Sequence, residues 1–207
     1  MVRANMPQAH VDQLVNSLRV ITKLTELRFD KDGMLRLDGT RSARGSEKAI
    51  ALLAQAIEGA NVIILEDASS RTDVAFCRVV PGRWTDRDLN KPSAYVVLID
   101  FQDFEQISGD AEARAAFDVG WGVLHELDHV VTNSDDAKQP KVIGECEDHI
   151  NAMRLEVGLP IRVDYFFSAV NFKTDANFNA RYVRLSFKRQ NKRYWLVWDA
   201  VTVGGLV

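Results

Sequence analysis

The chain has 207 residues, 46% of them hydrophobic and 27% charged, and a net charge of −3. That length suits one large domain over residues 1–207, able to bury roughly 70% of its unfolded surface without disulfide staples. Two cysteines, Cys77 and Cys146, are too few for a disulfide framework, the near-neutral balance excludes a general pull toward nucleic acid, and no window has the apolar length of a membrane span.

No apolar run occurs near the start, so the expected setting is cytoplasmic, with signal-less export as an effector left open. In chain order, Val11, Leu14, Val15, Leu18 and Ile21 fall at helical spacing. Residues 27–30 and 34–37 flank Lys31-Asp32-Gly33, which predicts a hairpin turned by its glycine. A helix is predicted over 46–58, a buried strand over 61–66 and another strand over 73–80, followed by a loop over 81–92. Residues 94–101 (AYVVLIDF) carry the strongest strand pattern, dominated by β-branched side chains. The period then turns helical over 111–131. After the polar turn 133–140, a second helix is predicted over 142–157, stopped by Gly158-Leu159-Pro160. Alternation over 182–187 and 194–201 predicts a C-terminal hairpin, about 181–201. A mixed sheet, then two helices, then a hairpin reads as α+β.

The chemistry concentrates in His125-Glu126-Leu127-Asp128-His129, an H-E-x-x-H run inside the first of those two helices. Residues i and i+4 share a helix face, so both imidazoles reach one metal ion, and Zn–N bonds of about 2.0–2.1 Å suit them. Glu126 lies about 100° around the helix, placed to act as general base on a zinc-bound water rather than as a ligand. By accident the pattern arises in roughly one chain in a few hundred of this size, so its helical context decides.

Zinc needs a third protein ligand. On the following helix Ile143, Cys146, Ile150, Met153 and Val157 form one apolar face, which assigns Cys146 to the core. Glu147, Asn151 and Arg154 line one edge of that face, and Glu145 and His149 the other. Only one edge can face the first helix, and the third ligand is then Glu147, with Asn151 orienting it and Arg154 holding a carboxylate, or alternatively Glu145 on the other edge.

The H-E-x-x-H run with a downstream glutamate resembles the zincin superfamily of metallopeptidases, specifically the gluzincin-like members. The stretch EDHINAMRLEVGLP, 147–160, is similar to the glutamate helix of phage-repressor-cleaving metallopeptidases, and Asn151 to Arg154 followed by Gly158 to Arg162 and Tyr165 is similar to bacterial effector-type ones. The resemblance covers a metal-site core of about 94–165. It implies a zincin-like fold, a mixed or antiparallel sheet packed on the H-E-x-x-H helix and the glutamate helix, and a hydrolase that cleaves a peptide or protein substrate using Zn2+. It also implies that strand 94–101 is the edge along which an extended peptide aligns, or else a plain core strand. Tyr165 or His149 is a candidate donor to the developing oxyanion. One departure is Asp128, where such families often carry glycine.

The alternative is a zinc-binding module without proteolysis, its site closed by a fourth protein ligand from Asp128, Cys146 or His149. A di-iron carboxylate protein is discarded, since E-x-x-H occurs once and the chain has too many strands. The basic residues Arg181, Arg184, Lys188, Arg189, Lys192 and Arg193 read as the solvated face and turn of the hairpin, and no nucleic acid or membrane partner is expected.

Overall fold

A computed structural model describes residues 1–69, 71–82, 93–170 and 182–204. The apolar stripe of the first helix, α1 (Gln8–Thr22), buries Leu14, Val15, Leu18 and Ile21. It stops where Lys23 turns left-handed, and β1 (Leu24–Phe29) and β2 (Leu35–Arg41) follow as an antiparallel hairpin. Gly33, at φ 72°, supplies the turn. Helix α2 (Glu47–Glu58) begins at Ser46, whose hydroxyl accepts from the Ala49 amide at 3.0 Å.

Three strands make the first larger sheet. β3 (Val62–Asp67) lies parallel to β5 (Ala94–Ile99), and β4 (Cys77–Pro81) lies antiparallel on β5's other side. The order β3-β5-β4 makes residues 94–99 the central strand and leaves β4 at the edge. Residues 94–99 thus form a core strand, the second of the two expected readings, and β4 holds an edge of the sheet. That strand is also shorter than expected, because Phe76 adopts φ 60° and breaks the ladder before Cys77. Strand 61–66, expected to be buried, is only half-buried, with alternate residues covered. Most of the expected loop 81–92 lies outside the described residues, as does Arg181.

After β5 come α3 (Phe101–Glu105), the short β6 (Ser108–Gly109) and α4 (Ala111–Ala115). The helix expected over 111–131 is two helices. Asp118 leaves the helical conformation (φ −121°) and caps α5 (Val119–Thr132) with its carboxylate, accepting from the Gly120 and Trp121 amides. Next are α6 (Gly144–Glu156), β7 (Ile161–Arg162), β8 (Ser168–Ala169), β9 (Tyr182–Arg189) and β10 (Lys192–Asp199). The second sheet runs β6-β10-β9-β7, with β8 also on β9. The fold is mixed α+β.

The largest apolar cluster joins α1, α2, α5, α6, β3 and β5, with Leu18, Leu53, Val97, Leu124 and Ile150 among its buried members. A second cluster, with Leu185, Phe187, Leu196 and Trp198, sits under the C-terminal hairpin. Fully burying side chains of this size stabilises by about 1.5–3 kcal/mol each, so α5 is fixed on several sides before any polar contact is made. No described helix is long and apolar enough to cross a membrane.

Candidate metal centre

Close packing places α5. A Cβ on Gly120 would meet Ser17 Oγ of α1 at 2.2 Å, and one on Gly122 would meet Cys77 Sγ of β4 at 2.9 Å. The two glycines let α1 and the edge strand approach the helix start. One and two turns on, His125 and His129 stand edge to face, ring centroids 4.9 Å apart. Asn133 then turns left-handed (φ 57°) and folds the following loop back beneath the rings.

That loop completes the cluster. Asp136 Oδ1 lies 3.0 Å from His125 Nε2 and 3.4 Å from His129 Nε2. The loop is pinned onto α6 by an antiparallel bridge between Asp136 and Gly144 and by the Cys146 amide, which donates to the Asp135 carbonyl at 3.2 Å. Gly144 makes this possible, at φ 76° with the Ala137 amide 2.4 Å from where a Cβ would stand. Ligand atoms of His125, His129, Asp136 and Cys146 all lie within 4.8 Å of one another. Two ligands on a tetrahedral zinc with bonds of about 2.0–2.1 Å stand about 3.3 Å apart, so the His–Asp spacings fit such an ion.

The far nitrogen of each ring is also held. His129 Nδ1 is 2.8 Å from the Ser134 carbonyl, and His125 Nδ1 is 3.4 Å from Glu147 Oε2. With Nδ1 as the donor, each Nε2 presents its lone pair toward Asp136. Electrostatics agree. Hydrogen bonding to Asp136 pushes His129 up to about 11, and it raises His125 well above its usual value despite burial. Burial pushes Asp136 up, but the two imidazoles outweigh it and hold the carboxyl far below its ordinary range. A bound cation would take the place of those shared protons.

Glu126 is 8% exposed, and its Oε2 accepts from the Val79 amide of β4 at 2.8 Å. Burial raises its pKa, opposed by the two imidazoles and that amide. It lines a cavity of about 130 Å³ together with Cys77, His125, Glu147, Arg162 and Tyr165. The Tyr165 ring stacks on His125 with centroids 6.0 Å apart, and burial pushes its phenol up, keeping it protonated.

Glu147 occupies a different place from the one expected of it. It is 1% exposed and bound by Arg154 and by Arg162 Nη1, the latter at 3.1 Å. Burial pushes its carboxyl up, but the two guanidiniums prevail and hold it well below the usual carboxylate range. With both oxygens engaged by guanidiniums and His125 Nδ1 3.4 Å away, Glu147 stands outside the group of side chains that could together hold an ion, whereas Asp136 stands within it. The alternative, Glu145, is exposed at the start of α6. Arg154 does hold a carboxylate, and Asn151 accepts from Arg154 Nη1 at 2.9 Å.

Both edges of α6 reach α5, where one was expected. On the second edge His149 Nδ1 lies 2.9 Å from Asp128 Oδ2, away from the cavity. Asp128 also accepts from Ser134 Oγ at 2.6 Å, so it steadies the same residue whose carbonyl holds His129. Asp136 escaped the sequence reading, which treated 133–140 as a solvated turn; the left-handed competence of Asn133 was the available sign that the chain folds back. Cys146 is fully buried as expected of a core residue, yet its sulfur borders the cluster. No family model, curated protein or solved structure matches this chain, so what the centre does is argued from its own geometry.

Proposed function

We propose that this protein is a zinc-dependent peptide-bond hydrolase of the zincin type, with His125, His129 and Asp136 as metal ligands and Glu126 as general base. One observation carries the reading: the three ligand atoms converge where a buried carboxylate, Glu126, lines the adjoining cavity between them and a sheet edge. Zinc held there by His125, His129 and Asp136 would lower the pKa of a bound water to about 7 and polarise a carbonyl.

The residues around it divide the remaining work. Glu126 takes a proton from the attacking water and passes it to the leaving amine, worth roughly 10²–10⁴ in rate. The protonated Tyr165 phenol, beside His125, donates to the developing oxyanion. Glu147 and Ser134 hold the two rings in register. β4, at the sheet edge, aligns an extended peptide by strand addition, with the Val79 amide available once Glu126 releases it.

A closed, non-catalytic site is favoured by one observation, the nearness of Cys146 to the other three donors. Against it, the Cys146 thiol donates to the His125 carbonyl at 3.3 Å, a backbone partner outside the group of converging donors. Metal analysis and peptide cleavage separate the readings. Wild type is expected to hold one zinc and cleave, Glu126→Gln to keep the zinc and lose about 10²–10⁴ in rate, and Asp136→Ala to lose the metal. A thiolate-to-metal charge-transfer band after cobalt substitution, with no cleavage across a broad peptide library, would establish the closed site instead.

A further inference from the structure

The β9–β10 hairpin carries a charge arrangement that the metal centre does not use. Its register sets Lys188 directly opposite Arg193 and Arg189 directly opposite Lys192. Like charges facing across an antiparallel pair are destabilising. All four side chains are exposed, as is Arg184 on β9, and among the described residues none of the five forms an ion pair. Elsewhere Arg3, Arg28, Arg36, Arg41, Arg71, Arg154 and Arg162 each meet a carboxylate. The hairpin thus gathers positive charge that forms no ion pair among the described residues.

Its outer face adds a second feature. Strand alternation puts Tyr182, Arg184 and Lys188 of β9 on one side with Arg193, Trp195 and Val197 of β10, while Val183, Leu185, Phe187, Leu196 and Trp198 enter the core beneath. On that side the Arg184 guanidinium lies 4.2 Å from the centre of the Trp195 ring, and Tyr182 is 37% exposed. Flat guanidinium and aromatic surfaces beside a row of cations offer stacking for bases and neutralisation for phosphates together. An acidic peptide would use only the cations. A lipid surface would want apolar side chains at the tip, where Gln190 and Asn191 stand.

We propose that the outer face of the β9–β10 hairpin binds single-stranded nucleic acid, with Lys188 and Arg193 on phosphates and the Arg184–Trp195 stack against a base; Arg189 and Lys192 lie on the other side of the strands, over the Tyr194 ring, and take no part. The net charge of −3 does not oppose this, because attraction over a few ångströms is set by the local cluster.

The test is fluorescence anisotropy of the full chain with a labelled oligo(dT) or oligo(U) of about 15 nucleotides. Saturable binding is expected at about 50 mM salt, with a log–log salt slope of about −1.4, the value for about two phosphates neutralised on a single strand. Lys188→Glu with Arg193→Glu should weaken binding by at least about tenfold, and Arg184→Gln by a smaller factor. Circular dichroism and metal content, unchanged in both variants, exclude misfolding. Absent binding, equal competition by poly-glutamate, preference for phosphatidylserine vesicles, or full affinity in the charge-reversed variant would each overturn the proposal.

Discussion

Two parts of the molecule handle charge in opposite ways. Between α5 and α6 the charged groups that face inward are answered: Glu147 by Arg154 and Arg162, Asp128 by His149 and Ser134, Asp136 by two imidazoles. On the β9–β10 hairpin the cations at Arg184, Lys188, Arg189, Lys192 and Arg193 are exposed and form no ion pair among the described residues. The first pattern spends charge on holding side chains in place, where an unmatched ion costs several kcal/mol. The second leaves charge free at the surface, where it costs little and can meet something outside. Position within the fold, rather than residue type, separates an arginine that is architecture from one that is available.

The sharpest way to break the contrast is to remove a buried partner. Arg154→Met leaves Glu147 with Arg162 alone and strips a guanidinium lying 5.3 Å from the Trp121 ring centre. It should destabilise the fold by about 3–5 kcal/mol in urea denaturation, whereas Arg193→Ala should change little. Adding Glu147→Gln to Arg154→Met should recover part of that loss.

Zinc comes next. At about a hundred times its dissociation constant, the ion should stabilise wild type by about 2.7 kcal/mol, seen as a raised melting temperature. Chelator should reverse the effect, and Asp136→Ala should abolish it. Asp128→Asn tests the bracing. It weakens the hold on Ser134 and thereby on His129, and chelator competition should show metal affinity lower by about 10–100-fold with the helices intact.

Asp103 sharpens the comparison as a buried carboxylate that meets no cation among the described residues. Burial, with Asp100 nearby, pushes it up to about 6, while the Phe76 amide donates to it at 2.9 Å. A raised folded-state value means its contribution is fully present below its ordinary 3.8 and is lost as pH rises through about 6. Glu147, held low, behaves in reverse: its contribution is present above its ordinary 4.5 and disappears as pH falls through its depressed folded-state value. Between pH 4 and 6.5, Asp103→Asn should therefore gain on wild type by on the order of 1 kcal/mol, allowing for solvent screening. Denaturation curves across that range measure it. The smallest effect belongs to the hairpin. Arg193→Glu turns one like-charged cross-strand pair into an attractive one, so it should raise stability by about 0.2–1 kcal/mol while weakening the binding proposed for that face. A stability gain coupled to a binding loss would mark the charges as retained for use.

Much of this could be read from local pattern. The helix carrying His125, Glu126 and His129, the apolar face of α6 and the C-terminal hairpin follow from periods of 3.6 and 2, which need only neighbouring residues. The stripe Glu147–Asn151–Arg154 was legible as a unit for the same reason. Less so were the ends. Asp118 splits what looked like one long helix because a cap competes with the helix locally, and Phe76 delays β4 through a left-handed turn that an aromatic residue does not announce.

The sequence by itself determined that two imidazoles and a glutamate share one helix, since that is a matter of pitch. Which carboxylate comes to lie beside the two imidazoles was decided only in three dimensions. Asn133 and Gly144 fold a polar loop back so that Asp136 arrives beneath the rings, while two arginines distant in sequence from α5 occupy Glu147. The edge strand was decided the same way: β4 rather than β5 borders the cavity because pairing order is a property of the sheet, not of any strand within it. Short-range pattern fixes what each segment can present, and the long-range return of the chain selects which of those groups meet.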